Sequence, residues 1–264
     1  MGVLKDGKYL HLFVNGAYVL SYESAFTGKA MAGIFGFNTG MTLTDYFTDT
    51  TAQTLAAKKA MIPRYNITKG NASVASYDAS TDTITVNMSS SNTRNQMELY
   101  DNGIRVDGAS FVVTGRIKVE NTKTTGSAAS KLEFQVSQDT KNFLKMTVCR
   151  FGTTNNSVYI NTADAGNGSK ATGYAYQKED GSFGVQSAYT NNLATGDPYE
   201  VDYQVIFENG IIYLVLDGEL VYKFQSTFTN GIYYFGVTQY ADATYTNTQV
   251  TYDAAEIAAM TAGL

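Results

Sequence analysis

Hydrophobic and polar residues alternate along residues 199–224, "YEVDYQVIFENGIIYLVLDGELVYKF". This period of two is typical of a strand with one buried and one solvent-exposed face. The hydrophobic set is Val201, Tyr203, Val205 and Phe207, and the polar set is Glu200, Asp202 and Gln204. Asn209-Gly210 and Asp217-Gly218 are dipeptides that tight hairpin turns prefer, because both turn positions need φ > 0. The pattern therefore predicts a three-stranded meander.

The same kind of pattern recurs along residues 63–253 as short alternating segments separated by turn clusters. Among these segments are "SVASYD", "TITVNM", "QMELYD", "SFVVTGRIKVE", "KLEFQVS" and "NFLKMTVCRF". The sequence contains 24 glycines and only 2 prolines, and it has few helix formers outside two Ala-rich patches. Regularly spaced short strands with turn signals predict an all-β fold, an antiparallel two-sheet β-sandwich with short Ala-rich helical linkers.

An internal repeat is visible when the two ends of the chain are compared. "DGKYLHLFVNGAYVLSYESAFTG" aligns with "NGIIYLVLDGELVYKFQSTFTN" so that residue n matches residue n + 202, as Gly16 matches Gly218. "TAQTLAAKKA" likewise parallels "AAEIAAMTAG". We therefore expect residues 1–50 to be the C-terminal strands of a preceding repeat, 51–62 a helical linker, 63–253 a complete sandwich repeat, and 254–264 the start of the next linker.

Three stretches carry a resemblance to a known family: "GASFVVTGRIKVE", "PYEVDYQVIFENGIIYLVLDGELV" and "GIYYFGVTQYADATYTNTQVTYD". In their order and spacing they resemble the concanavalin A-like or laminin G-like jelly roll, over about residues 63–253. The resemblance implies a jelly-roll sandwich and no particular activity. Scarce cysteine, low charge and abundant Thr, Asn and Tyr resemble the exported, repetitive surface proteins of Gram-positive bacteria.

The polar set of the meander raises the question of glycosidase chemistry. Glu200 and Asp202 lie two residues apart, and retaining glycosidases place two carboxyl groups about 5 Å apart. Gln204, the third member, can neither attack nor donate a proton as an acid. In the laminarinase-type hydrolases of this fold the catalytic carboxylates precede the strand that Glu200 and Asp202 occupy, so the resemblance implies that these two residues are in the wrong place for catalysis. No other E-x-D-x-E motif occurs, and we expect that this chain is not an enzyme.

Other chemistry is bounded by composition. The formal net charge is −5 without Lys/Arg clusters, which argues against a nucleic-acid partner. No apolar run approaches the roughly 20 residues of a membrane-spanning helix, so no membrane partner is expected. Cys149 is the single cysteine and predicts a strand residue rather than a disulfide or thiolate metal site. His11 is the single histidine and is predicted on the polar side of "YLHLFV".

Calcium is the one cofactor that the sequence suggests, because carboxylate and amide oxygens in loops can ligate it. The candidate ligands are Asp101, Asn102 and Asp107 in "DNGIRVDG", and "NTADAGNG" at 161–168 is a second oxygen-rich stretch. Neither stretch has the spacing of a calcium-binding loop, and Asp and Asn are also common turn formers. Both interpretations stay open.

Aromatic residues supply the candidate ligand site, since sugars stack on aromatic platforms. Tyr174 and Tyr176 share a face of "GYAYQ", and the loops at 161–168 and 178–182 adjoin them. The full candidate set is Tyr174, Tyr176, Tyr159, Phe183 and Tyr189. Tyrosines that fill the core or an ordinary outer strand face are the alternative interpretation.

We expect a non-catalytic recognition or adhesion module of a repetitive, extracellular bacterial cell-surface protein, binding a glycan or another surface ligand. The alternative is a structural spacer or self-assembling fibre or stalk subunit without a small-molecule ligand. Neighbouring repeats are expected partners, and residues 1–50, which carry sandwich strands without their sheet, predict docking on a sandwich or self-association.

Overall fold

The computed structural model describes residues 1–25, 48–88, 94–101, 103–121, 129–139, 142–151, 155–163, 170–172, 176–177, 183–184, 199–238 and 241–264. The chain forms two compact units. Unit 1 comprises Met1–Pro63 with residues 102–104, and unit 2 comprises Arg64–Asp101 and Arg105–Leu264.

The described part of unit 1 is a three-stranded antiparallel sheet with one helix. Its strands are β1 (Gly2–Asp6), β2 (Tyr9–Val14) and β3 (Ala17–Glu23), in that spatial order, and its helix is α1 (Ala52–Lys59). The β2–β3 turn has Asn15 and Gly16 at φ 51° and 82°, as an "NG" turn requires. Thr51 caps α1, because its side chain accepts the backbone N–H of Thr54 at 3.4 Å. Leu4, Phe13 and Ile62 form the buried cluster of this unit, with Tyr18 and Leu55 packed against it.

Unit 2 contains the remaining strands, a 3₁₀ turn at Ala72–Val74 and helix α2 (Ala254–Thr261). The strands up to β12 are β4 (Tyr65–Lys69), β5 (Ala75–Asp78), β6 (Thr83–Asn87), β7 (Arg94–Asp101), β8 (Ile104–Arg105), β9 (Asp107–Gly108), β10 (Ser110–Asn121), β11 (Ala129–Ser137) and β12 (Phe143–Phe151). The others are β13 (Asn155–Ala163), β14 (Lys170–Thr172), β15 (Tyr176–Gln177), β16 (Phe183–Gly184), β17 (Tyr199–Glu208), β18 (Ile211–Leu216), β19 (Glu219–Gln225), β20 (Gly231–Thr238) and β21 (Ala241–Thr251).

Among the described residues, these strands form two large antiparallel sheets. The seven-stranded sheet has the order β19-β18-β17-β10-β21-β6-β5. The nine-stranded sheet has the order β14-β13-β12-β11-β20-β7-β4, with β8 added on β7 and β9 on β20. Strands β15 and β16 pair with each other as a two-stranded sheet.

The core of unit 2 lies between the two large sheets. Alternate residues of facing strands meet there, as in Phe134 of β11 and Tyr203 of β17, whose rings are 5.1 Å apart. Phe235 of β20 packs edge-on against Tyr245 of β21 at 4.9 Å. Because both sheets bury one apolar face against the other, the predicted antiparallel two-sheet sandwich is confirmed.

Helix α2 covers part of the outer face of the seven-stranded sheet. Ile257 packs there against Val112, Ile206 and Tyr213, all buried. The helix begins after Asp253, whose carboxylate accepts the backbone N–H groups of Ala255 and Glu256. The outer face of this sheet is thus apolar under α2 and polar beyond it.

The predicted meander is formed by β17, β18 and β19. Both predicted turns have the expected geometry, with φ of 48° and 90° at Asn209 and Gly210, and 50° and 80° at Asp217 and Gly218. The alternation along β17 is also confirmed, since its hydrophobic set is buried and Glu200 and Asp202 are exposed.

Candidate functional site

Glu200 and Asp202 form surface ion pairs on the outer face of the seven-stranded sheet. Arg116 of β10 places its Nε 3.2 Å from a Glu200 oxygen and 3.4 Å from an Asp202 oxygen. The two carboxylate side chains are 49% and 64% exposed. Ion pairs this exposed contribute little to stability, because water screens them. The pair therefore has the properties of an ordinary solvent-facing strand.

A shallow groove of about 300 Å³ lies beside these ion pairs. Thr114 of β10 pairs with Gln204 on one side and Gln249 on the other, and these three residues line the groove with Arg116 and Asp202. A β-bulge in the β10–β21 pairing places Asn247 at its margin with φ 54°. The groove is polar and open to solvent.

A denser polar cluster crosses the outer face of the nine-stranded sheet. Strand register places one residue of each of five neighbouring strands in a row: Asn66 opposite Glu98, Glu98 opposite Tyr234, Tyr234 opposite Gln135, and Gln135 opposite Lys145. Residues opposite one another in adjacent strands lie on the same face. We call this set the polar row.

Glu98 is the hydrogen-bonding centre of the polar row. Its Oε2 accepts from Asn66 Nδ2 at 3.1 Å and from the Tyr100 hydroxyl at 3.5 Å. Arg105 NH1 lies 3.7 Å from Oε1. The Glu98 side chain is only 11% exposed. A carboxylate can accept at about four lone-pair positions, so these donors satisfy most of its capacity.

An amide chain extends the row along β7 and β11. Gln96 Nε2 donates to Gln135 Oε1 at 3.0 Å, and Gln135 Nε2 donates to Ser137 Oγ at 2.6 Å. Glu133, on the same face of β11, receives Lys145 Nζ at 3.5 Å. Gln96, Glu133 and Ser137 are buried although they lie on an outer sheet face. Side chains linked in this way hold one another in fixed positions.

Burial and, next, the negative charge of Glu98 raise the pKa of Tyr234 to about 12, while Arg105 acts in the opposite direction. The phenol therefore keeps its proton at neutral pH, close enough to Glu98 to respond to its charge. Because its ring is only partly buried, Tyr234 also offers an aromatic surface at the middle of the row. The row thus presents carboxylate, amide, ammonium and phenol groups side by side on one face of the sheet.

The aromatic residues predicted from sequence are only partly placed. Tyr159 lies on β13, opposite Thr147 of β12, so its strand belongs to the nine-stranded sheet next to the strand of Lys145. Tyr176 and Phe183 lie on β15 and β16, opposite Gly184 and Gln177. Tyr174 and Tyr189 lie outside the described residues, as do the loops at 164–169 and 178–182. The aromatic platform stays a prediction.

The predicted calcium ligands have other partners in the structure. Asp101 lies 3.5 Å from Arg64 NH2, and Asp107 accepts from Arg105 Nε and NH2 at 3.1 and 2.8 Å. Asn102 is outside the described residues. Within the part of the chain that is described, no three His, Cys, Asp or Glu side chains are grouped as metal ligands. Calcium binding also stays a prediction.

His11 is not on the solvent-exposed side of β2, and that prediction is wrong. The side chain is fully buried, and its Nδ1 hydrogen-bonds the Ser21 hydroxyl at 2.7 Å. Tyr9, His11 and Phe13 form the buried set of β2. Burial lowers the pKa of His11, while the Asp6 charge raises it and Lys59 lowers it. The sequence pattern of β2 was assigned to the wrong faces, because the face of the sheet that α1 covers is the buried one in unit 1.

Sequence reasoning missed the polar row. Gln96-Met97-Glu98 and Glu133-Phe134-Gln135 alternate like any strand with a solvent face. Their only distinctive signal is the pairing of charged and amide residues on the polar side. Their meeting depends on the order β11-β20-β7, which brings together residues far apart in sequence.

No helix in the described parts of the chain is long and apolar enough to span a bilayer. No protein-family model and no curated protein matches the chain. Solved structures that are similar to it include the carbohydrate binding module CBM66 from Bacillus subtilis, with 14% identity, 72% of this chain and 96% of that chain covered, and a TM-score of 0.41.

Two further solved structures are similar. The alginate lyase from Alteromonas sp. 272 has 11% identity, coverage of 71% of this chain and 93% of that chain, and a TM-score of 0.42. The Emp47p carbohydrate recognition domain has 14% identity, coverage of 71% and 87%, and a TM-score of 0.43. At these identities and TM-scores the likeness assigns no function.

Proposed function

We propose that unit 2 is a non-catalytic recognition module that binds a glycan on the outer face of its nine-stranded sheet. The polar row supplies the contacts: Glu98 accepts from a sugar hydroxyl with the capacity that its protein donors leave, Gln135 accepts or donates, and Tyr234 provides the aromatic surface. Sugars are bound in proteins by such combinations of hydrogen-bonding groups and aromatic rings, since a pyranose or furanose has polar edges and apolar faces.

One observation carries this proposal: the contrast between the two outer faces. On the seven-stranded sheet Glu200 and Asp202 are about half exposed, whereas Glu98 on the nine-stranded sheet is 11% exposed and has several donors. Withdrawing a carboxylate from water is unfavourable unless it is fully hydrogen-bonded. A spacer does not need such a network, while a ligand site needs rigidly oriented polar groups.

The chemistry of the row favours binding over catalysis. Hydrolysis by a carboxylate pair needs one acid that carries a transferable proton. Glu98 and Glu133 are both engaged as acceptors, by Asn66 and by Lys145 among others. The single histidine of the sequence, His11, belongs to unit 1. An adhesion role at the extracellular surface of a bacterium follows from the composition and belongs to this proposal.

The test is a glycan array probed with the full chain, followed by calorimetry with whichever glycan binds. Glu98→Gln and Tyr234→Ala should abolish or strongly weaken binding, and Asp202→Asn on the opposite sheet should not. Loss of the Tyr234 ring should cost on the order of 1 to 3 kcal/mol, the range for bases stacked on aromatic side chains. Tyr174→Ala and Tyr176→Ala, tested alongside, show whether the predicted platform contributes.

A blank array across plant, host and bacterial glycans would overturn this function and favour the spacer. Binding that survives Glu98→Gln but is lost in Asp202→Asn would place the site in the groove of the seven-stranded sheet. Release of reducing ends or unsaturated sugars from a bound polysaccharide by the wild-type chain would overturn the non-catalytic assignment.

A further inference from the structure

Unit 1 reproduces the C-terminal elements of unit 2 at a constant offset. Strands β2 and β3 have the same bounds as β18 and β19 when 202 is added to each residue number, and α1 matches α2 in the same way. The bulges also correspond, at Leu12/Phe13 and Leu214/Val215. The hydrogen bond from Ser24 N to Lys8 O, 2.7 Å, has its counterpart from Ser226 N to Gly210 O, 2.8 Å.

The helix-covered face of the sheet is the same in both units. In unit 1, Leu4 and Ile62 belong to one buried cluster, with Leu55 of α1 packed against it. At n + 202 stand Ile206, Leu264 and Ile257, which pack together in unit 2. The two units therefore fold the same hairpin against the same kind of helix.

The opposite face differs between the units. In unit 2 it lies in the sandwich core, where the nine-stranded sheet covers Val205, Leu216, Val221 and Tyr222, all at most 2% exposed. The counterparts in unit 1 are Val3, Val14, Val19 and Leu20, which are 41% to 59% exposed. Tyr22, matching the core-packed Phe224, is 63% exposed. We call these five side chains of unit 1 the open face; Lys5, at the position of Phe207, is the charged exception beside it.

Among the described residues, the edge strand of unit 1 has no partner strand on its outer side. β1 is at the edge of its sheet, next to β2. Its counterpart, residues 204–208 of β17, pairs with Ser110–Thr114 of β10. An apolar sheet face and an open edge together leave backbone and side-chain groups without the partners that their counterparts have.

We propose that the open face and the β1 edge form a docking surface for a sandwich body with the fold of residues 64–203. In unit 2 these residues form β4 to β16 and the first half of β17, and β18 to β21 lie beyond them. Such a body therefore presents the inner faces of β11 and β12, which lie in the core of unit 2, and a β10 whose residues 110–114 lack the partners that residues 204–208 supply in unit 2. The strand register of unit 2 gives the proposed pairing. Val113 pairs there with Val205 and Val112 with Ile206, so in the docked body Val113 would pair with Val3 and Val112 with Leu4. The surface is independent of the glycan site.

The test joins residues 64–203 directly to Gly2 of the full chain, so that Gly2 follows Tyr203 as Gln204 does in unit 2. Cysteine is placed at Val19 in one protein and at Val221 in a matched control, both with Cys149→Ala, and the rate of thiol labelling is measured. In the chain of 264 residues, Val19→Cys should label rapidly and Val221→Cys slowly. In the extended chain the Val19→Cys rate should fall to that of Val221→Cys.

Continued rapid labelling at Val19→Cys in the extended chain would overturn the proposal. So would slow, concentration-dependent labelling in the chain of 264 residues together with a dimer mass in solution, since a second copy would then cover the open face. Val19→Asp separates docking from general instability: it should leave unfolding of the original chain unchanged and destabilise the added residues of the extended chain.

Discussion

Replacing Glu98 with glutamine tests whether the hydrogen bonds to Glu98 stabilise the folded protein. The change keeps size and shape and removes the negative charge. Hydrogen bonds to charged groups contribute about 1.5 to 3 kcal/mol and neutral ones about 0.5 to 1.5 kcal/mol, so each good bond loses roughly 1 kcal/mol. The bond from Asn66, at 3.1 Å, is the one that decides the magnitude, because the Tyr100 contact at 3.5 Å is at the distance limit.

The expected loss is therefore about 1 kcal/mol of unfolding free energy at pH 7. The loss of the Arg105–Glu98 ion pair adds little to this value, because Arg105 keeps its ion pair with Asp107 at 2.8 Å. The assay is urea denaturation, with Glu200→Gln as the matched control. That control removes a half-exposed carboxylate 3.2 Å from Arg116 and should stay within about 0.5 kcal/mol of wild type. Equal urea midpoints for the two variants would show that the hydrogen bonds to Glu98 do not stabilise the folded protein.

Two further predictions concern tyrosines of unit 2. Gly115→Ala should lower the free energy of unfolding by about 1 to 3 kcal/mol, since a Cβ there would lie 2.8 Å from the buried Tyr203 ring. In a double-mutant cycle measured by denaturation, Tyr203→Leu should restore part of this loss. Stability should fall as pH rises from about 10 to about 12, because the raised pKa of Tyr234, about 12, makes the folded state hold a proton that the unfolded state releases. The phenolate absorbance of Tyr234, identified as the part that Tyr234→Phe removes, should titrate in this pH range. Its midpoint should move to lower pH in Glu98→Gln, and an unchanged midpoint would show that the Glu98 charge does not act on the Tyr234 phenol.

The fold could be predicted from local chemistry where that chemistry is unambiguous. Asn209-Gly210 and Asp217-Gly218 specify turns through φ > 0, and the alternation along β17 assigns its faces. The burial of His11 could not be predicted, because β2 has apolar residues on both sides and only the docking of α1 decides which side is enclosed. Periodicity gives two faces and does not say which is covered.

The polar row could not be predicted for a related reason. Glu98 and Gln135 each look like a solvent-facing residue within their own strand, and their meeting through Tyr234 depends on β20 lying between β7 and β11. Long-range strand order is not encoded in any short window of sequence. The burial of Glu98, which distinguishes it from Glu200, arises only after the sheet has formed.

A backbone amide chemical-shift titration of the full chain, with the glycan that it binds best, locates the binding face directly. We expect the shifts to concentrate on β4, β7, β20, β11 and β12, with the largest changes at Glu98, Tyr234 and Gln135. Shifts concentrated at Thr114, Arg116 and Gln204, on the outer face of the seven-stranded sheet, would contradict this expectation.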